Sequence, residues 1–275
     1  MRRKPYQTVA LYVAVIFTTV MIASPFIWLI ITALKPYQEI YGFPINYIPK
    51  KPTLEHFEYV FQLDFGRYFA NSVIVSGGAA ILTVLIALLP AYATAKFDFL
   101  AKQPTLLSIL VCQMFPQIVF VIPFFLILSR LGLIDSFFGV MVAYLPFTTP
   151  VAVWLTRNFF IEVPVDIEEA AMIDGCSRFE TFIRVVLPLA LPGIAAVGIY
   201  SFLFAWSELM FSRSYLSTMS MQTIPVFLSL FVGQYQTRWG PLFAGSVVAS
   251  IPPILVFGFL QKYFIRGLTS GSVKG

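Results

Sequence analysis

Charged residues are scarce in this 275-residue chain, 31 in all, yet nine of them stand between Arg157 and Leu187. Six of the nine are acidic: Glu162, Asp166, Glu168, Glu169, Asp174 and Glu180. Their spacing builds helix ends. In Pro164 to Gly175, Asp166 is placed to cap a helix whose first turn carries Glu168 and Glu169, where exposed amides and the helix dipole favour negative charge. Gly175 is placed to end that helix in a left-handed conformation. Ser177 to Glu180 then fits the S-x-x-E capping box that opens a second helix, which continues through Phe182, Ile183 and Val186 until Pro188 closes the segment. Ile167, Ala170 and Ala171 fall on one face of the first helix. Small side chains there let another backbone approach, while the flanking carboxylates are expected to stay in water. The residues alone leave two readings: a helix seated in a partner's groove, or a solvated loop with ordinary caps.

The other residue with chemical potential is Glu208, the one acidic group near the apolar tracts. An intramembrane carboxylate is costly and turns toward partners or water. It either lines an outer gate together with Trp206, or is an interfacial carboxylate satisfied by Arg213 or by backbone amides. Classes that need more are excluded by simple counts. One histidine, His56, and two cysteines, Cys112 and Cys176, build neither a disulfide scaffold nor a thiolate metal site. No GxxxxGK[ST] phosphate loop is present. The net charge of +5 is spread over loops and marks no nucleic-acid surface.

The elements that must position these residues follow from hydropathy. The chain is 59% hydrophobic and only 11% charged, with a mean hydropathy of +0.84. Six tracts lack charge altogether: Pro5 to Leu34, Tyr68 to Ala95, Gln103 to Ser129, Ser136 to Thr156, Val185 to Ser207 and Trp239 to Gln261. Each has the length of about 20 residues that a helix needs to cross a bilayer core. The first is too long for a signal peptide and reads as a retained span. Strict alternation for an outer-membrane barrel is absent. An all-α polytopic membrane protein is expected, a single transmembrane domain over 1–275 with spans at about 9–34, 69–95, 104–129, 136–156, 188–211 and 241–263. Prolines at 116, 123, 146, 150, 192, 252 and 253 fall inside or at the ends of these spans, as packing kinks or as cavity-lining breaks. The segment 214–237, rich in Ser, Thr and Gln, suits an interfacial or re-entrant element. With the N-terminus inside, 11 lysines and arginines face the cytoplasm and 7 face outward. Both termini and the 157–187 loop are therefore expected to be cytoplasmic.

Glu169-Ala170-Ala171, Gly175, Val185 and Leu187-Pro188 resemble the EAA loop of ATP-binding-cassette importer permeases, EAA-x3-G-x9-I-x-LP, with Val185 for isoleucine as the only departure. The tail from Gly267 through Leu268, Thr269, Gly271, Lys274 and Gly275 resembles the GLTxGxVKG ending of carbohydrate permeases of the maltose-transporter type, specifically the shorter permease of the pair. Lys35-Pro36, Pro52 to Phe57, Asn71-Ser72 and Trp206 to Leu209 are similar to that family too, although Ser207 stands where asparagine is more usual.

The resemblance implies a type I importer permease fold of six spans in a bacterial or archaeal cytoplasmic membrane. It implies three protein partners: a homologous second permease, a cytoplasmic ATPase dimer and an extracytoplasmic sugar-binding protein. ATP and magnesium would be bound by the ATPase, with no cofactor and no catalysis in this chain. Glu169, Ala170, Ala171, Asp174 and Gly175 would couple to the ATPase, Leu187 and Pro188 would fix the loop to the fifth span, and the tail from Gly267, lying in 264–275, would reach the ATPase interface. The cargo would be a carbohydrate held mainly by the other permease. A glycerol phosphate or polyol is the alternative cargo, although no cation lies in the six tracts. A secondary transporter or membrane enzyme would need carboxylates or a catalytic cluster at mid-membrane depth, and the tracts contain neither.

Overall fold

A backbone inside hydrocarbon must satisfy its own polar groups, so uncharged apolar tracts become helices. The computed structural model of the chain describes residues 5–259, whose regular structure is helical apart from one isolated bridge between Val232 and Thr237. In chain order the helices are α1 (Pro5–Ala33), α2 (Tyr37–Tyr41), α3 (Glu55–Gln62), α4 (Phe65–Lys96), α5 (Lys102–Cys112), α6 (Val121–Arg130), α7 (Phe137–Glu162), α8 (Val165–Ile173), α9 (Arg178–Thr181), α10 (Leu187–Leu189), α11 (Leu191–Ser207), α12 (Met210–Tyr215), α13 (Ile224–Ser229) and α14 (Trp239–Ala249).

Four helices are long and apolar enough to cross a membrane: Tyr6–Ala33, Phe65–Lys96, Phe137–Glu162 and Trp239–Phe259. Two further helix pairs meet the same measure together but are bent, Lys102–Cys112 with Gln117–Arg130 at 95° and Arg178–Leu189 with Leu191–Ser207 at 74°; with each pair counted as one span, the total among the described residues is six. The bends fall within the spans expected at 104–129 and 188–211, beside Pro116 and Pro192, two of the prolines read there as kinks or breaks. Pro116 has no N–H to donate and disfavours helix in the residue before it. The third crossing therefore stops at Cys112 and resumes through a 3₁₀ turn, Gln117–Phe120, into α6. At the fifth, Leu187 and Pro188 lie in the helical run that precedes the bend, and Pro192 is tolerated in the first turn of the run that follows it. Between 214 and 237 there is no long helix, only a 3₁₀ turn at Met219–Met221 and the short α13.

The described residues group into two compact units. In one, formed by residues 5–66 and 228–251, α14 packs on α1 and on α3. His56 is buried there, its Nε2 2.9 Å from the Lys35 carbonyl oxygen. The Lys35 ammonium lies 4.2 Å over the Trp28 ring, a cation–π contact that replaces lost water. Tyr41 donates to the Thr237 carbonyl at 2.7 Å and accepts from the Trp239 amide at 3.1 Å.

The other unit, residues 67–227 with 252–259, is built on α4, α7 and α11. One core joins Val75 and Ala79 of α4 to Val140, Ala143, Tyr144 and Phe147 of α7 and to Phe211 and Tyr215 of α12. A second joins Ala87 and Ala91 to Ala152, Val153, Phe160 and Val197, and reaches Phe182 and Val186 of the loop. Alanines at these crossings allow close backbone approach, the usual device where lipid supplies no hydrophobic drive. Between α4 and α7 the hydroxyls of Thr83 and Thr148 meet at 2.7 Å in full burial. Ser136 caps α7 by accepting from the Gly139 amide at 3.0 Å, while its own hydroxyl donates to the Leu133 carbonyl at 2.7 Å.

Candidate functional site

The 157–187 loop folds as two short helices. Proline at 164 favours extended backbone before a helix and needs no donor at its start. Accordingly, Pro164 takes the N-cap position without a side-chain hydrogen bond and α8 begins at Val165. Asp166 is therefore not the cap expected from sequence; it sits inside the first turn with Glu168, where it still complements the dipole.

The C-terminal end of α8 matches expectation. Gly175 has φ of +93°, the left-handed conformation that costs a residue with a side chain. This turn lets the Cys176 amide donate to the Ala171 carbonyl at 3.0 Å and the Gly175 amide donate to Met172 at 3.1 Å. Those two bonds are a Schellman motif, which satisfies carbonyls the helix leaves open. The capping box follows: the Glu180 amide donates to Ser177 Oγ at 3.3 Å, and the Ser177 amide donates to Glu180 Oε2 at 2.9 Å. The Ser177 amide and hydroxyl, with Arg184 beside it, hold the Glu180 carboxyl below its ordinary value. From α9 a π turn, Phe182–Val186, runs into α10.

The two carboxylates expected to flank the small-residue face in water part company. Glu169 is exposed, as are Asp166 and Asp174, but Glu168 is buried. Its Oε2 accepts from the Tyr92 hydroxyl at 2.8 Å, and its Oε1 lies 2.7 Å from Lys96 Nζ, an ion-pair contact not aligned as a hydrogen bond. Lys96 Nζ in turn donates to the Val163 carbonyl at 2.6 Å. Sequence gave no signal for this pairing, whose members stand 72 positions apart. Ile167, Ala170, Ile173 and Phe179 remain exposed, so the elbow presents apolar groups between free carboxylates. Leu187 is half-buried against the second core, whereas Pro188 is exposed.

Glu208 is also buried, and its charge is committed to backbone. Oε1 accepts from the Phe211 amide at 2.9 Å and Oε2 from the Ser212 amide at 3.2 Å, so the carboxylate covers the first turn of α12. The residue borders a cleft of about 610 Å³ shared with Gln117, Phe204, Ser207 and Arg213. Trp206 is buried, edge-on to Phe69 at 5.7 Å and stacked on Phe202 at 5.6 Å. The tail residues Gly267, Leu268, Thr269, Gly271, Lys274 and Gly275 lie outside the described residues.

At this end of the unit, where Trp206 meets Phe69, side chains also clip an irregular segment in place. Asn71 Nδ2 donates to the carbonyls of Ser220 and Gln222, each at 2.9 Å, and Ser72 Oγ accepts from the Ile224 amide at 2.7 Å. Asp135 accepts from the Thr218 amide at 3.0 Å and from its hydroxyl, bonds that hold the carboxyl below its ordinary value. Because that value is depressed on folding, the stabilisation is present above the unfolded carboxylate range and is lost as pH falls through the lowered value. Hydrogen exchange at the Thr218 amide is thus expected to accelerate below about pH 4 relative to a nearby helical amide. In Asp135→Asn that acid acceleration should vanish, and its persistence would break the assignment.

Comparison with known proteins adds independent findings. The profile of the family described as "binding-protein-dependent transport system inner membrane component" matches residues 83–270. The chain is 32% identical to a trehalose/maltose transport system permease of Thermococcus litoralis over 100% of both chains. It is 34% identical to a trehalose transport system permease of Mycobacterium tuberculosis, covering 97% of this chain and 98% of that one. To a diacetylchitobiose uptake system permease of Streptomyces coelicolor it is 32% identical, covering 97% and 95%. Among solved structures, a chain of a bacterial ABC transporter that imports alginate superposes with a TM-score of 0.78 at 21% identity, over 96% of this chain and 99% of that one. The fold is that of the importer's membrane subunit.

Proposed function

From the premise that the chain belongs to the family of inner membrane components of binding-protein-dependent transport systems, we propose that it is half of the translocation path of an ATP-driven carbohydrate importer. Full-length similarity to permeases for trehalose, maltose and diacetylchitobiose supports a di- or oligosaccharide as cargo. The absence of lysine and arginine from the six charge-free tracts fits a neutral solute better than a phosphorylated one.

The observation that carries the reading is the α8–α9 elbow. Two short helices with built ends are joined at a left-handed glycine and present Ile167, Ala170, Ile173 and Phe179 among exposed carboxylates. An apolar patch rimmed by polar groups is a protein interaction surface, and a rigid one transmits displacement that a disordered loop would absorb. In this proposal a cytoplasmic ATPase dimer, which binds the ATP and magnesium, grips the elbow here and on a homologous second permease. Nucleotide-driven closure moves both elbows, and the path changes its side of access. A soluble extracytoplasmic protein delivers the sugar. Both termini and the elbow are cytoplasmic in this arrangement, and Glu169, Ala170, Ala171, Asp174 and Gly175 meet the ATPase. By resemblance, the tail from Gly267 joins them.

The test is reconstitution of the four kinds of subunit in proteoliposomes with labelled trehalose, maltose and diacetylchitobiose. ATP-dependent accumulation of at least one sugar is expected, with none when this chain is omitted and no ATP hydrolysis by this chain alone. Accumulation without ATP, or without this chain, would overturn the assignment.

A further inference from the structure

Chain connectivity ties the elbow to α7 before it and, through α10, to α11 after it. The helix α4 ends some 60 residues earlier, so any motion it receives must come through side chains. Its last turns are built for that. Lys96 Nζ reaches both the Val163 carbonyl, which leads into α8, and the Glu168 carboxylate within α8, with both charged side chains more than nine-tenths buried. One turn earlier, Tyr92 gives its hydroxyl to Glu168 and lays its ring 4.6 Å from Phe182 of the π turn and 5.7 Å from Phe160 of α7. Arg157 of α7 donates from Nε to the Thr94 carbonyl at 3.3 Å, a bond across the same helix end. Tyr92 and Lys96 thus both hold the first arm of the elbow through Glu168, and Tyr92 alone reaches the end of the second, at Phe182.

We infer that the Lys96–Glu168–Tyr92 cluster is a joint that transmits the displacement of the elbow into α4. These are positioning residues, since they act by joining α4 to α8. The inference rests on the reading of the elbow as the ATPase's grip. Its logic is electrostatic: a buried carboxylate and ammonium are each costly to separate, so the pair moves as one piece, where an exposed pair would slip. Coupling needs such a discrete packed connection between the pushed element and the responding one.

The experiment uses the complete reconstituted importer and reads ATP hydrolysed per sugar imported, after confirming that each variant complex is recovered with its ATPase. Lys96→Met and Glu168→Gln are each expected to raise that ratio roughly tenfold. Lys96→Arg, which keeps the cation, should restore most of the coupling. The double variant Lys96→Met with Glu168→Gln should be no worse than the worse single, because one joint is broken only once. Wild-type ratios in the singles, failure of arginine to rescue, or losses that multiply in the double would each overturn the joint. Should the charge variants fail to assemble, Tyr92→Phe removes one hydroxyl only; a ratio raised about two- to threefold supports the joint, and an unchanged ratio overturns it. A wild-type complex that imports no sugar overturns the functional reading itself, whereas wild-type import with coupled variants sinks only the joint.

Discussion

Valine in place of Gly175 is expected to lower ATP-driven uptake at least roughly tenfold while the chain still inserts and its spans still pack. The position has φ of +93°, and a Cβ built there meets nothing within 4 Å. Steric collision is therefore not the cause. The cost is in the backbone, about 1–3 kcal/mol for a non-glycine residue held in the left-handed region, and more for a β-branched one. The chain can relieve that strain by leaving the left-handed conformation, but the Cys176-to-Ala171 and Gly175-to-Met172 bonds then go with it. The α8 end frays and the angle between the two arms is lost. Because about 1.4 kcal/mol already shifts the ratio of intact to frayed elbow tenfold, the effect falls on coupling first. Gly175→Asn is the control, since asparagine enters that region more readily; it should keep most of the uptake. Coupled transport at the normal rate in the valine variant would remove the elbow from the mechanism.

The largest stability effect is expected from Gly139→Ala, one methyl group in the first turn of α7. That Cβ would lie 1.9 Å from the Leu133 carbonyl oxygen and 3.1 Å from Ser136 Oγ. A backbone carbonyl cannot rotate away as a side chain would. The turn before α7 has to shift, which disturbs the Ser136 cap and the neighbouring Asp135 amide bond to the Tyr215 carbonyl at 2.8 Å. Overpacking of this kind costs about 1–3 kcal/mol or more, read as a lower melting temperature of the purified complex in detergent. Gly198→Ala is the matched control: it lies within α11, nothing stands within 4 Å of its Cβ, and removing a helical glycine favours the helix by about 0.5–1 kcal/mol. Equal melting of the Gly139 and Gly198 variants would show that the turn has room after all.

What could be read from the sequence was whatever is encoded within about four residues. The glycine that ends α8 and the Ser177–Glu180 box each depend on a bond to a near neighbour, so residue type and spacing are enough to find them. That the apolar tracts form helices was legible for the same reason, because a helix in lipid closes its own hydrogen bonds. Direction was not. Hydropathy sees the length of residues 104–129 and 188–211 but not the 95° and 74° bends. The prolines at 116 and 192 mark where a helix can break without saying how far it turns. Least legible was Glu168. By local rules it is an exposed first-turn carboxylate like its neighbour Glu169, and only the arrival of α4 with Lys96 and Tyr92 makes burial tolerable. Glu208 lay between these cases: backbone amides were one of two readings, and the three-residue step to Phe211 is the local geometry by which the carboxylate reaches them.

The 74° bend at Ala190 gives the fifth crossing the form of a crank. One arm, Arg178–Leu189, is about 18 Å long at 1.5 Å per residue; the other, the 17 residues of α11, is about 26 Å. Were the pair to pivot rigidly at Ala190, a displacement at the outer end of the short arm would be enlarged roughly 1.4-fold at the end of the long one, the ratio of those lengths. The far end is Ser207, beside Glu208 and the cleft it borders. A straight helix pushed along its axis could only slide by what it was given. A bent one pivoting in this way would turn a small thrust on the loop into a wider sideways sweep at Ser207.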